Sequence, residues 1–123
     1  MWVRCLDLKI NEEWVDEHRT YTEIFMAEAE LEDKIWYNRH QIWLEKIETG
    51  KQRIVENVPG GKYKVNETPK EIFDGARFSA KKVEEQYGIV NLGPWSDFEW
   101  GMMNGKLSAL RWVIGNEWDF LDT

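Results

Sequence analysis

Residues 12–49 read "EEWVDEHRTYTEIFMAEAELEDKIWYNRHQIWLEKIET", with no glycine and no proline. How this stretch is read decides the fold. Its apolar and semi-polar positions run Trp14/Val15, His18, Thr22, Phe25/Met26, Ala29, Asp33, Trp36, His40, Trp43/Leu44, Ile47. Steps of three and four are helical spacing. Asn11 is placed to cap it, with Glu12 and Glu13 in a first turn where carboxylates suit the helix dipole. A continuous helix from 12 to 48 would be about 55 Å long, more than a chain of this size spans. Either it breaks or it projects and pairs with a second copy. Thr20-Tyr21-Thr22, poor in helix propensity, and Asp33, which interrupts the apolar stripe, are the two places for a break. The reading favoured here is a long or bent helix that helps build a homodimer, with Trp14, Phe25, Trp36 and Trp43 as its interface residues.

Outward from this segment the punctuation is clearer. Trp2, Leu6, Leu8 and Ile10 alternate as in a short strand. Gly50 closes the long helix. Arg53–Val58 and Lys62–Val65 flank Pro59-Gly60-Gly61, a β-hairpin pattern. Thr68-Pro69-Lys70-Glu71 gives an N-cap, a proline at the first helical position and a glutamate at the third, so a helix runs from 69 to about 87, where Gly88 stops it. Ile72, Phe73, Ala76, Ala80, Val83 and Tyr87 form its apolar face, and Phe78 stands alone among charges. Ser96-Asp97-Phe98-Glu99 is a capping box for a last helix, with Trp95 and Trp100 placed as a hydrophobic staple and Gly115 as the stop. The class is mainly α: a small helical bundle, residues 1–123 as a single domain, with one long or bent N-terminal helix and a minor β-hairpin.

The last helix is apolar on two sides, which predicts a central position. Gly101, Gly105 and Ala109 leave a groove on one of those sides. Each glycine costs a helix about 1 kcal/mol relative to alanine. Close packing against the helix 69–87, across its own Ala76 and Ala80, would explain them.

Composition narrows the function. The chain has 123 residues, a net charge of −7, eight tryptophans and one cysteine. The charge disfavours a nucleic-acid backbone or an anionic membrane as partner. No apolar run reaches the length of a membrane span. The lone Cys5 forms no internal disulfide and excludes a zinc finger, which points to a reducing, cytoplasmic setting.

Candidate chemistry is sparse. His18 and His40 lie on the apolar stripe without the Glu-x-x-His pairs of a di-iron bundle, so they read as core or interface histidines. Glu13/Asp16, Glu30/Asp33 and Glu45/Glu48 are paired carboxylates one helical turn apart, able in principle to share Mg²⁺. These pairs loosely resemble those of all-α nucleotide pyrophosphohydrolases of the MazG type. That resemblance would imply a Mg²⁺-dependent nucleotide hydrolase, with Glu30, Asp33, Glu45 and Glu48 converging on the metal. Asp97, Asn104, Ser108 and Arg111 form a thin polar stripe on the last helix. It reads as an internal network, with Arg111 meeting Asp119 or Asp122, or as a small binding pocket of Asp97, Asn104 and Arg111. Phe78 and the surplus tryptophans point to a protein interface. The expectation is therefore a protein-interaction module, an accessory or regulatory factor acting as a homo-oligomer. It needs no cofactor and no metal and has no catalytic residues of its own. The alternatives are the nucleotide hydrolase and an acidic nucleic-acid mimic, which would need the acids of residues 1–48 in one exposed row.

Overall fold

The computed structural model describes residues 17–118. The 2–10 strand, the Asn11 cap, Trp14, Asp119 and Asp122 lie outside them. The described chain is mainly helical. Its helices are α1 (Tyr21–Glu48), α2 (Lys70–Tyr87) and α3 (Asp97–Val113), and its short strands are β1 (Arg53–Val55) and β2 (Glu67–Pro69).

α1 starts at the first of the two suspected break points. Thr20 is its N-cap: the Thr20 hydroxyl accepts from the Glu23 backbone N–H at 3.1 Å. The Glu23 carboxylate accepts in return from the Thr20 backbone N–H at 2.9 Å. This reciprocal box stabilises a start where three residues of weak propensity follow one another. Residues 17–20 are not helical, so a single helix from 12 to 48 is ruled out. Asp33, the second suspected break, is an ordinary helical residue. The 28 residues of α1 span about 42 Å.

The 49–69 segment differs from a hairpin. β1 and β2 pair in parallel, with Ile54 opposite Thr68. The expected turn does form: the Gly61 N–H donates to Val58 O at 2.8 Å, and Gly60 takes a φ of +68°. The antiparallel ladder does not, because Asn57 leaves it for α2. Its Oδ1 accepts from the Glu71 backbone N–H at 2.9 Å, and its Nδ2 donates to the Glu71 carboxylate at 2.7 Å. A residue fourteen positions upstream thus satisfies a first-turn N–H of α2 and holds the Glu71 carboxylate beside it. Thr68, the expected cap, makes no capping bond; it is buried in β2, where its hydroxyl accepts from Gln52 Nε2 at 2.8 Å. α2 accordingly begins at Lys70, one residue late, and Gly88 ends it at φ +83°.

The capping box on α3 is present as expected, with Ser96 and Glu99 bonding reciprocally at 3.1 and 2.8 Å. The packing of α3 is not as expected. α1, not α3, is the central helix: it contacts both α2 and α3, which make little contact with each other. Two small cores lie on opposite sides of α1. Tyr37 packs with Ala80, Val83 and Leu92, beside Trp36 and Tyr87. Ile35 packs with Met103 and Leu107, beside Leu31, Trp95 and Trp100. Residues two apart on a helix point about 200° apart, so Ile35 and Tyr37 serve opposite neighbours. Both α2 and α3 run antiparallel to α1. The proposed glycine groove between α2 and α3 is therefore absent. A Cβ added at Gly101 or Gly105 would meet nothing within 4 Å.

Candidate functional site

A cleft of about 560 Å³ lies between α1 and α2, lined by the apolar Tyr37, Leu44 and Ala80 and the charged Asp74, Arg77, Lys81 and Glu84. Phe78, picked out as a lone aromatic among charges, is 63% exposed and lines this cleft. The Lys82 ammonium lies 4.7 Å from its ring centroid, which holds the ring against a cation rather than in a core.

Two hydrogen bonds that mirror one another tie the helices beneath the cleft. The Tyr37 hydroxyl on α1 donates to Glu84 on α2 at 2.6 Å, and the Tyr87 hydroxyl on α2 donates to Asp33 on α1 at 2.8 Å. Burial first, and then the facing carboxylate, push each phenol up to about 12. Both are therefore neutral donors at any physiological pH. The polar residue that interrupted the apolar stripe is thus half of a helix–helix tie.

His40 is buried against the same contact. Its ring stacks on Trp36 at 5.1 Å and meets Trp43 at 5.6 Å. Burial lowers its pKa, the Arg77 charge lowers it further, and Glu84 opposes both. His40 is a core histidine, as its place on the stripe implied, while His18 is exposed and precedes α1.

The remaining interface residues divide. Trp36 and Trp43 are half-buried in the α1–α2 contact, where Trp43 meets Phe73 at 5.7 Å. They also line a shallow apolar hollow of about 260 Å³ with Ile72 and Ala76. Phe25 is exposed.

The polar stripe of α3 does not assemble one pocket. Asp97 is an exposed first-turn acid. The Asn104 amide donates to Trp100 O at 2.8 Å, within its own helix. Arg111 turns to α1 and pairs with Glu28 at 3.4 Å and Glu32 at 2.9 Å. Those carboxylates are its ion-pair partners among the described residues, and Asp119 and Asp122 lie outside them. Arg111 also borders a second hollow of about 370 Å³ with Glu32, Asp33, Trp36 and Arg39.

The carboxylates needed for a shared Mg²⁺ are dispersed. Asp33 holds Tyr87, Glu30 accepts from Lys34 at 2.8 Å, and Glu45 and Glu48 are exposed near the far end of α1. Among the described residues no three acids, histidines or cysteines gather into a metal-sized group. No described helix is long and apolar enough to cross a membrane. Compared with family models, curated proteins and solved structures, the chain matches none.

The residues that sequence reasoning missed are Tyr37, Glu84 and Tyr87 as a linked set. A signal existed: Asp33 and Tyr37 are four apart on α1, and Glu84 and Tyr87 three apart on α2, so each pair shares a face.

Proposed function

We propose that this chain is a protein-interaction module, an accessory or regulatory factor that works as a homo-oligomer in the cytoplasm and contributes no catalysis of its own. One observation carries the reading. Among the described residues seven hydrophobic side chains are buried, while fifteen large ones are exposed. Single exposed apolar residues are ordinary, but patches of them mark surfaces that a partner covers. Eight of the fifteen lie on α1 and α3, Phe98, Met102, Trp112 and Val113 on one face of α3, and Phe78 stands at the α1–α2 cleft. Mixed charge beside apolar lining residues suits a polypeptide ligand, whose side chains offer both signs.

The hydrolase reading needs carboxylates that converge, and the acid-mimic reading needs them in one free row. Glu28 and Glu32 are engaged by Arg111, Glu30 by Lys34 and Asp33 by Tyr87, which favours neither. Thermal unfolding with Mg²⁺ or Mn²⁺, with and without nucleoside triphosphates, tests the choice. The proposal expects an unchanged Tm. A metal-dependent rise of several degrees would return the chain to the enzyme class.

A further inference from the structure

α3 carries an apolar face with no neighbour among the described residues. Phe98 is 73% exposed, Trp112 52% and Met102 46%, and Val113 is exposed beside them. Trp118 meets Trp112 edge-on at 5.3 Å and extends the face past the helix end. At 100° per residue these side chains surround the line Gly101, Gly105, Ala109, and all three are exposed. Nothing among the described residues calls for the glycines, since a Cβ at either position would meet none of them within 4 Å. Each weakens the helix it stands in. No described residue offsets that loss, and what glycines at this spacing allow is close approach of another helix backbone.

We infer that this face binds a second copy of the chain, with the two α3 helices crossing antiparallel over Gly101 and Gly105. The inference rests on the homo-oligomer reading above and gives it a surface. Charge selects the occupant and its direction. One flank of the face carries Glu99 and Lys106; the other carries Asp97 and Ser108. In a two-fold antiparallel pair, like flanks meet. With the crossing centred between the glycines, each copy's Glu99 stands level with the other's Lys106 to within one residue. In a parallel pair the unlike flanks meet, and Glu99 would face Asp97. The face is therefore complementary to itself in one direction only. A single helix pair lies at the small end of interface sizes, so association is concentration-dependent, in the micromolar range.

The test uses the full chain with Cys5→Ser. Met102 lies within a residue of the two-fold axis, so Met102→Cys should form a disulfide-linked dimer under mild oxidation. Glu85→Cys, on exposed α2, should not. Sedimentation equilibrium is run alongside on the wild type, on Lys106→Glu and on Gly101→Ala/Gly105→Ala. Both variants should raise the dimer Kd at least about tenfold. The alanine pair should at the same time raise the Tm of the dilute chain, an opposite-signed effect that misfolding cannot mimic. A wild type that dimerises without Met102 cross-linking, or with unchanged Kd in the alanine pair, overturns this surface and leaves homo-oligomerisation standing. A wild type that stays monomeric to about 1 mM overturns both.

Discussion

Tyr37 shows how much a single side chain can decide. Its ring belongs to one core, and its hydroxyl holds Glu84 across the α1–α2 contact. Tyr37→Phe keeps the packing and strands a half-buried carboxylate, a loss of about 1–2 kcal/mol; chemical denaturation should show it as a lower midpoint with an unchanged slope. Tyr87→Phe should behave alike through Asp33. His40 supplies the pH dependence. Its folded pKa is depressed by burial and by Arg77, so the unfolded chain binds the proton more readily. Stability is therefore complete above about pH 6.5, the ordinary imidazole value, and falls as pH drops below it. His40→Phe, which preserves an aromatic ring between Trp36 and Trp43, should flatten the Tm profile below about pH 6.5. A profile unchanged by the substitution would remove His40 from the account. Sequence put His40 in a core or interface and showed that Asp33 and Tyr37, like Glu84 and Tyr87, share a helix face, but not that these two faces meet. A tie between helices depends on which faces meet, and spacing within one helix does not carry that.

Elements were legible where local chemistry sets them. The Ser96–Glu99 box, the Gly88 stop that ends α2 and the extent of α3 follow from residues a few positions apart. The 49–69 segment was not, because its decisive bond is non-local: Asn57 caps α2 across fourteen residues and so prevents the hairpin it would otherwise join. Asn57→Ala should cost about 1 kcal/mol, as for other N-cap losses. Hydrogen exchange should show the first turn of α2 opening faster while α3 is unaffected; protection unchanged at Lys70–Phe73 would contradict the remote cap. The order of packing was misread for a related reason. α3 has two apolar sides and suggested a central helix, yet one of those sides faces no part of the described chain. α1 shows one apolar stripe in the sequence, yet its buried residues divide between two neighbours, Tyr37 toward one core and Ile35 toward the other. If α3 pairs with a second copy as proposed, the rule that a helix apolar on two sides is enclosed holds for the pair rather than for one copy.

At the scale of the molecule, two small cores on either side of one 28-residue helix bury few large side chains. A construction of this kind leaves long lateral faces uncovered, and the uncovered residues include Phe25, Phe98, Met102 and Trp112. Small domains depend on burying a large share of their surface, and oligomerisation is one way of reaching it. Stability should accordingly rise with protein concentration, as for any self-associating fold. Sedimentation equilibrium of the wild-type chain over a concentration series from about 1 µM to 1 mM tests the central claim most directly. The account predicts a weight-average mass that climbs from that of one 14.7 kDa chain toward twice that value. A mass that stays at one chain across the whole series would contradict it.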